Sequence, residues 1–374
     1  MRVGLDLLYL VPGETGGRET YARELVPAML QRSPELDIVA FVNREAGCEL
    51  ARDLGGAVRC VTVPVSARSR AQWAVGELAL VSAAARRARL DLLHCMANFA
   101  PGWGTTPRVV TIHDLQYKSV PGQLSTPVGR LTGALMWLAA RGARRIVAVS
   151  QAGAQEIVSG LHVERERIDV VPNGVRLPGT PAGNDKLNER HGLAGRQVAL
   201  CVATNLPHKN LAVLFEALAQ LPPADRPLLV LAGHGTDEGE LAQQARAVDV
   251  FDDVRLLGRC STEELDALYA VAGCLVLPTL HEGFGLPVLE AMARSLPVAC
   301  SDIAALRELA GAAAVYFDPH HPEQIAGAVA QLLSDRALAA RLAALGLARA
   351  GSFSWAAAAR GTLASYACAL GTRP

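Results

Sequence analysis

The stretch HEGFGLPVLE at residues 281–290 decides how this chain is interpreted, because two glutamates bracket a glycine-rich loop that runs directly into a helix. Gly283 and Gly285 leave backbone N–H groups uncovered, and Pro287 suits the first position of a helix. The first N–H groups of a helix lack internal partners and carry the positive end of its dipole, so the loop can hold hydroxyls or phosphate oxygens. With carboxylates beside it to bind sugar or ribose hydroxyls, the stretch indicates a nucleotide-sugar site.

The composition indicates a large α/β protein. The 374 residues are too many for one ordinary core and predict two domains, and 51% apolar with 19% charged residues is typical of buried parallel sheets. Lys plus Arg and Asp plus Glu both number 36, which argues against a nucleic-acid partner, since phosphates require a basic surface. The same neutrality predicts at most peripheral contact with an anionic membrane.

The cysteines and the N-terminus indicate a cytoplasmic protein. The eight cysteines are scattered without a C-x-x-C pair, and several lie in apolar strand-like runs where a buried free thiol is expected. The N-terminus is typical of a strand with Asp6 inside it, and no apolar run is long enough for a membrane span. We therefore expect neither a signal peptide nor a transmembrane segment.

Strand-like runs alternate with helical stretches along the whole chain, which predicts two doubly wound, Rossmann-like domains with parallel sheets. Ligands of such sheets bind at the carboxyl ends of the strands, so we expect the facing ends to form a central cleft. The predicted organisation is an acceptor-binding domain over 1–177, a linker over 178–195, a nucleotide-sugar domain over 196–352, and a C-terminal segment over 353–374. That segment is predicted to be a helix packing back towards the first domain.

Six motifs in order give the chain a resemblance to a known family. HEGFGLPVLEAMARSLPVACSDIAALREL with the following YFDP resembles the C-terminal half of family 4 retaining glycosyltransferases, which have the GT-B fold. TIHDLQYKSVP, AVSQ, VPNGV and TNLPHKNL resemble the mannosyltransferase-like branch of that family. The resemblance runs from the glycine turn near residue 16 to the FSW segment and implies a cytoplasmic enzyme of carbohydrate biosynthesis.

The resemblance implies roles for the residues of the donor site. Glu290 is expected to hold the ribose hydroxyls, and Glu282 is expected to face the donor sugar. The alternative for Glu290 is compensation of the dipole in a first helical turn. The further donor-binding residues implied are Gly16, Gly17, Asn205, His208, Lys209, Arg259, Gly283, Phe284, Gly285 and Leu286.

Lys209 is predicted at the start of a helix, where its ammonium can neutralise a diphosphate leaving group as a point charge. The alternative is a solvated lysine at a helix end. The chain departs from the family pattern at the preceding residue, where His208 replaces an arginine. An imidazole binds phosphate less firmly. Either Arg259 assists, or backbone groups and Lys209 hold most of the diphosphate.

Three features of the first half are candidates for the same reaction. Gly16 and Gly17, between the first strand and the first helix, let the backbone approach a ligand at a helix N-terminus. His113 ends the apolar strand VVTIH, and the resemblance implies contact with the donor sugar near the reacting centre. Asp114 is expected to brace the following loop, and Asn173 with Gly174 is expected to form a hinge or cleft wall.

We interpret the chain as a hexosyltransferase that moves a GDP- or UDP-linked sugar to an acceptor hydroxyl with retention, with His113, Lys209 and Glu282 as the catalytic candidates. No metal-binding spacing is present, so no metal or other cofactor is expected. The alternatives are a GT-B nucleotide-sugar epimerase, an inactive sugar-nucleotide-binding homologue, or a two-lobed sugar-binding protein. A glycosidase would need carboxylates on both sides of the bond.

Two classes of acceptor remain open. A lipid-linked or surface glycan would favour a basic amphipathic surface, and a modest one is predicted around Trp73. Its basic residues are Arg68, Arg70, Arg86, Arg87 and Arg89. A soluble small acceptor, such as an aminoglycoside or antibiotic intermediate, is the alternative and is compatible with the neutral net charge.

Overall fold

A computed structural model describes residues 1–55, 57–119, 126–177, 190–193, 195–237 and 239–372. The chain forms two compact units, of which unit 1 comprises Met1–Gly174 with Phe353–Pro374 and unit 2 comprises Val175–Ser352. Most of the predicted linker, 178–195, lies outside the described residues. No helix in the described part of the chain is long and apolar enough to cross a membrane.

Unit 1 is built on a seven-stranded parallel sheet in the order β3-β2-β1-β4-β5-β6-β7. Its strands are β1 (Arg2–Leu7), β2 (Asp37–Val42), β3 (Arg59–Thr62), β4 (Leu92–Cys95), β5 (Arg108–Ile112), β6 (Arg145–Ala148) and β7 (Ile168–Val170). Its helices are α1 (Gly17–Arg32), α2 (Gly47–Asp53), α3 (Arg70–Val75), α4 (Val81–Arg87), α5 (Gln116–Ser119), α6 (Pro127–Gly142), α7 (Gln151–Leu161) and α15 (Trp355–Leu370).

Successive side chains of a strand point to opposite faces of the sheet, and both faces of this sheet are apolar. Ile38, Ala40 and Val42 of β2 pack with α1, α2 and α15, whereas Val39 and Phe41 pack with α4, α6 and α7. Each face has its own hydrophobic core, so the sheet is buried on both sides. The last helix, α15, is part of the first of these cores through Trp355 and Tyr366, among others.

Unit 2 has a six-stranded parallel sheet in the order β10-β9-β8-β11-β12-β13. Its strands are β8 (Val198–Val202), β9 (Leu228–Ala232), β10 (Val254–Gly258), β11 (Cys274–Leu277), β12 (Val298–Ser301) and β13 (Ala314–Phe317). Its helices are α8 (Val213–Gln220), α9 (Gly239–Ala247), α10 (Thr262–Val271), α11 (Leu286–Ala293), α12 (Ala304–Ala310), α13 (Pro322–Ser334) and α14 (Arg336–Ala350).

The predicted fold class, two doubly wound parallel sheets, is confirmed, and two local features differ from expectation. A π-helical segment, Gly76–Leu80, separates α3 from α4. The sequence predicts a single helical segment near residues 70–89, whereas here Gly76 packs so closely that a Cβ would lie 2.7 Å from Leu8 Cδ2. Cys60 is disulfide-bonded, whereas Cys95, Cys201, Cys274 and Cys300 are buried free thiols.

The π-helical segment brings a second carboxyl group against Asp6 in the core of unit 1. The Asp6 and Glu77 carboxyls are electrostatically coupled in the interior, and only 2% and 6% of their surfaces are exposed. Burial raises the pKa of Asp6 to about 6 and the pKa of Glu77 well above its ordinary value. The pair therefore holds a proton that two separate carboxyls in the unfolded chain release near pH 4.

A Glu77→Gln substitution is expected to make unit 1 less sensitive to alkaline pH. Both folded pKa values are raised, so the pair contributes stability that is full below about pH 4 and is lost as pH rises through about 6 and above. An amide cannot ionise, so the substitution removes the loss that comes from position 77. Thermal melts at about pH 5 and about pH 8 should show a smaller decrease in Tm for the variant.

The matched control is Glu35→Gln, because Glu35 is exposed. Its melting profile should follow that of the wild type at both values of pH. Equal decreases in Tm for the wild type and Glu77→Gln would contradict a shared proton in the core.

Candidate functional site

The sheet of unit 2 has its topological switch point between β8 and β11. The chain leaves β8 towards β9 on one side, whereas β11, which pairs with the other edge of β8, continues towards β12. The loops after β8 and β11 therefore diverge and leave a crevice at their carboxyl ends, which is where such sheets bind ligands.

Lys209 and Glu282 meet at this switch point, one from each loop. The Lys209 ammonium lies 2.5 Å from Glu282 Oε1, and both side chains are mostly buried, with 17% and 11% exposed. Lys209 was predicted at a helix start, and that position is wrong. It ends the 3-10 turn Pro207–Lys209, because Asn210 adopts φ 55° and the following helix begins only at Val213.

Backbone contacts fix the two loops to each other. Leu280 N–H donates to the His208 carbonyl at 2.7 Å, which joins the two loops directly, and the Asn210 side-chain amide donates to the Pro319 carbonyl in the loop after β13 at 2.9 Å. Asn205 is held likewise, with its N–H donating to the His234 carbonyl at 2.9 Å. His208 is buried, with 7% of its surface exposed. The loop positions are therefore set before any ligand binds.

The glycine-rich loop enters α11 through a conformation that requires glycine. Gly285 has φ 102°, and a Cβ there would lie 2.4 Å from Leu306 Cδ2. The helix begins at Leu286, so Pro287 occupies the second helical position and not the first as predicted. Phe284 is buried beside the turn. The segment is thus a rigid entry into a helix N-terminus.

Glu290 lies in the middle of α11 and is held by residues that the sequence did not predict. It is the fifth residue of the helix, so it lies beyond the first turn, where a carboxylate compensates the dipole. Tyr269 of α10 donates its hydroxyl proton to Glu290 Oε2 at 2.8 Å. The Arg294 guanidinium lies 4.9 Å from the Tyr269 ring centre and pairs with Asp266. Burial raises the pKa of Glu290.

Arg259 lies at the carboxyl end of β10 and is exposed. Its neighbour Gly258 has φ 66° and donates its N–H to the Thr236 hydroxyl at 3.1 Å. Burial raises the pKa of the Cys260 thiol to about 11, so the thiol stays protonated at neutral pH. Across the described residues no cluster of three or more His, Cys, Asp or Glu side chains could hold a metal ion.

In unit 1, His113 follows β5 at the carboxyl edge of the sheet. Its N–H donates to Asn98 Oδ1 at 2.7 Å, and its ring Nε2 lies 2.9 Å from the Met96 carbonyl. A carbonyl only accepts, so Nε2 carries the proton and Nδ1 is the acceptor. Burial lowers the pKa of His113 to about 4, so the ring is neutral at physiological pH. Asp114 accepts from Gln116 N–H at 3.3 Å, as a brace for the loop.

A buried polar chain supports His113 from behind. Its ring packs edge-on against Tyr21 at 4.8 Å, and the Tyr21 hydroxyl lies 3.0 Å from Thr111 Oγ1. His94 continues the chain, with Nε2 2.8 Å from Thr111 Oγ1 and Nδ1 2.7 Å from the Tyr366 hydroxyl. The sequence did not predict these contacts, because they join four separate elements.

Gly16 and Gly17 lie at the start of α1. Gly16, with φ 61°, is the N-cap and accepts from Glu19 N–H at 2.9 Å, while Gly17 is exposed. Asn173 is buried with its Oδ1 unpartnered, and Gly174 packs so tightly that a Cβ would lie 2.1 Å from Trp355 N. The Asn173–Gly174 turn is therefore packed against the start of α15.

The family models and the relatives that match this chain are all glycosyltransferases. Residues 15–177 match the family described as Glycosyltransferase Family 4, and residues 184–346 match Glycosyl transferases group 1. O-antigen chain mannosyltransferase B of Escherichia coli is 30% identical over 264 residues, covering 69% of each chain. D-inositol 3-phosphate glycosyltransferase of Xylanimonas cellulosilytica is 29% identical over 395 residues, covering 97% of this chain and 94% of that protein.

Solved structures show the same fold. Anabaena HepE, determined in complex with UDP and glucose, superposes with a TM-score of 0.76 at 21% identity, covering 97% of this chain and 98% of HepE. WaaG, a glycosyltransferase involved in lipopolysaccharide biosynthesis, gives a TM-score of 0.78 at 17% identity with the same coverage.

Removing Lys209 alone is expected to destabilise unit 2, because Glu282 would keep a mostly buried carboxylate without its partner. Lys209→Met should cost about 1–3 kcal/mol of unfolding free energy, and adding Glu282→Gln should recover part of that cost. Urea unfolding of the wild type, both single variants and the double variant completes the cycle. Strict additivity would show that the pair is not coupled.

His113 is expected to remain neutral throughout the range from about pH 8 to about pH 5. Its lowered pKa means that its contribution to stability is full above about pH 6.5 and is lost as pH falls towards 4. NMR of the imidazole nitrogens, with His113→Gln to assign the signals, checks this. A His113 midpoint near 6.5 would contradict the buried neutral ring.

Proposed function

The chain belongs to glycosyltransferase family 4, a family of retaining hexosyltransferases with the GT-B fold that use nucleotide-sugar donors, and from this premise we propose the donor, acceptor class and residue roles. It transfers a hexose from a GDP- or UDP-linked donor to an acceptor hydroxyl of a growing glycan. Lys209, Glu282 and Glu290 of unit 2 hold the donor, and His113 and the Gly16–Gly17 turn of unit 1 contribute to the reaction.

The observation that carries this proposal is the Lys209–Glu282 pair at the switch point of unit 2. An ammonium has three N–H donors, and Glu282 takes one, so two remain for phosphate oxygens. The Glu282 carboxylate holds the Lys209 ammonium in position even when no ligand is bound. Less reorganisation is therefore required when the diphosphate binds. Glu282 keeps its second oxygen for a sugar hydroxyl.

Glu290 suits the ribose because it is half-buried and already oriented. The Tyr269 hydroxyl donates a hydrogen bond to one of the two carboxylate oxygens of Glu290, Oε2. A ribose hydroxyl can donate to the remaining lone pairs, and hydrogen bonds to a carboxylate in a water-poor site are stronger than those between neutral groups. The Arg294–Asp266 pair keeps Tyr269 in position through the aromatic ring.

The chemical step requires no protein nucleophile. The bond between the anomeric carbon and the phosphate oxygen breaks, and its electron pair stays on the phosphate. The acceptor oxygen forms a new bond to the same face of that carbon and gives its proton to the departing phosphate oxygen. Lys209 stabilises the negative charge that develops on the diphosphate. His113 Nδ1 accepts a hydrogen bond from a hydroxyl of the sugar.

The names of the relatives support two acceptor classes. O-antigen chain mannosyltransferase B supports a glycan acceptor and a mannosyl donor, and HepE in complex with UDP and glucose supports a UDP-linked donor. The D-inositol 3-phosphate glycosyltransferases support a second candidate, a small soluble acceptor. A glycan acceptor is preferred because O-antigen chain mannosyltransferase B is 30% identical to this chain over 69% of each chain.

Lys209→Ala is expected to lower kcat by at least about a hundredfold, since the leaving-group charge would lose its cation. Glu290→Gln should instead raise the Kd for the nucleoside diphosphate by about tenfold, because a carboxylate acceptor becomes a neutral amide. Turnover assays with GDP- and UDP-hexoses, together with calorimetric titration of GDP and UDP, separate the two effects.

Glu263→Gln is the matched control, because Glu263 is an exposed glutamate of the same unit. Glu263→Gln should leave kcat and the Kd for the nucleoside diphosphate unchanged. Near-normal turnover of Lys209→Ala would overturn the phosphate role, and conversion of the donor without any acceptor would favour the epimerase alternative.

A further inference from the structure

A cavity of about 260 Å³ lies at the amino edge of the unit 1 sheet, opposite the edge that carries His113. Helix α4 forms one wall, and the end of the segment that connects β4 to β5, residues 96–107, forms the other. We call this connection the β4–β5 segment and the space the α4 cavity. Its lining includes Ser82, Ala85, Arg86, Trp103, Thr106 and Arg108, none of which takes part in the proposed transfer reaction.

Trp103 gives the α4 cavity a fixed aromatic wall. Its indole N–H donates to the Leu78 carbonyl at 2.5 Å, and its own carbonyl accepts from the Ser82 hydroxyl at 2.5 Å. The next residue, Gly104, has φ 120°, and a Cβ there would lie 3.0 Å from Ser82 Oγ. The Trp103 side chain is therefore held in position although half of its surface is exposed.

Arg108, the first residue of β5, supplies a buried cation to the same cavity. Only 9% of its surface is exposed. Its guanidinium donates to the Trp103 carbonyl at 2.8 Å and twice to the Gly142 carbonyl, at 3.1 and 3.3 Å. These bonds use three of the five N–H donors that a guanidinium carries, so two remain for a ligand. Exposed Arg86 adds a second cation from α4.

The neighbouring elements supply no carboxylate to Arg108. Helices α4 and α6 and the β4–β5 segment contain neither Asp nor Glu. Asp91, before β4, accepts a backbone N–H of β1 at 2.8 Å, and Asp169 of β7 pairs with an arginine of β6. Asp6 and Glu77 interact with each other in the interior. Within the described residues Arg108 thus has carbonyl partners alone, whereas a buried charge is normally paired.

The β4–β5 segment that closes the α4 cavity also holds His113 at the opposite edge of the sheet. At its start, the Met96 carbonyl accepts from the His113 ring at 2.9 Å, and Asn98 Oδ1 accepts from His113 N–H at 2.7 Å. Asn98 is itself fixed, because its N–H donates to the Thr111 carbonyl at 2.8 Å. One segment therefore connects the cavity wall to the groups that orient the histidine.

The middle of the β4–β5 segment packs against α3. Phe99 lies edge-on to Trp73, with 4.9 Å between the ring centres. The basic amphipathic surface predicted around Trp73 is therefore partly wrong, because Trp73 is half-buried and Arg68 pairs with Glu14 at 2.5 Å. The segment is thus held at its start, middle and end, so a displacement of one end acts on the other.

We propose that the α4 cavity binds a small organic carboxylate, and that its occupancy acts on His113 through the β4–β5 segment. The carboxylate lies at Arg108 and Arg86, because the N–H fork of a guanidinium matches a carboxylate. The apolar body lies against Trp103. A cavity below the range of about 300–1,000 Å³ for drug-sized ligands suits a body of about one ring. By linkage, a ligand that shifts the segment changes what His113 can bind.

Calorimetric titration of the full chain with benzoate tests the binding site. The titration contains neither donor nor acceptor, so its outcome is independent of the proposed transfer reaction. Benzoate should bind at least about tenfold more tightly than benzamide, which has the same shape without the charge. It should exceed inorganic phosphate, which has charge without an apolar body, by at least about tenfold as well. Benzoate should also change tryptophan fluorescence, and Trp103→Phe should remove most of that change.

Two neighbouring arginines of α4 provide a matched pair of variants. Arg86→Ala should weaken benzoate binding by about threefold, as expected for a partly exposed charge. Arg87→Ala should leave it unchanged, because Arg87 is exposed and lies outside the cavity lining. Arg108→Lys keeps the charge but loses the fork, and it should weaken binding by at least about fivefold. Thermal melts verify that each variant is folded.

NMR of the His113 imidazole tests the connection between the two edges of the sheet. Benzoate should shift the His113 nitrogen signals in the wild type and in Arg87→Ala. At one fixed benzoate concentration below saturation, Arg86→Ala should show a smaller shift, in proportion to its weaker binding. A shift that Arg86→Ala leaves unchanged would mean that benzoate binds at His113 itself, and this would overturn the proposal.

Three further results would also overturn it. Benzamide or inorganic phosphate would bind as tightly as benzoate, Arg86→Ala and Arg87→Ala would have the same affinity, or benzoate would saturate the protein without moving the His113 signals.

Discussion

The arrangement of unit 2 depends on the divergence of two neighbouring parallel strands. Because the connections from β8 and β11 run in opposite directions, their loops separate and leave space at the sheet edge. That space would be occupied by water around two opposite charges if Lys209 and Glu282 did not pair across it. The ion pair and the backbone contacts between His208 and Leu280 close the base of the crevice, so the surrounding loops have a defined position.

Much of the architecture could be predicted from the sequence because it depends on local patterns. Apolar runs separated by amphipathic segments specify parallel strands and covering helices, and the glutamate spacing around Gly283 and Gly285 singled out a loop that the structure places at the switch point of unit 2. The exact end of a helix is harder to predict, since Lys209 lies outside α8 only because Asn210 adopts a left-handed conformation.

The contacts that orient the candidate residues could not be predicted in the same way. Tyr269 meets Glu290 from another helix, and His113 is supported by side chains from α1, β4, β5 and α15. Such contacts join residues far apart in the chain, and neither propensity nor spacing reports them. The interrupted helix before α4 is a similar case, because its cause is the fit of Gly76 and Glu77 against the first strand and its loop.

The order of synthesis gives the position of α15 a further significance. This last helix completes a core that otherwise consists of the first strands and helices to be made, whereas unit 2 is continuous between them. On the ribosome, unit 2 can close as soon as it has emerged, but unit 1 must wait with an open apolar face until α15 has been made. The domain that is made first is therefore completed last, and during that interval its exposed core is a natural target for chaperones.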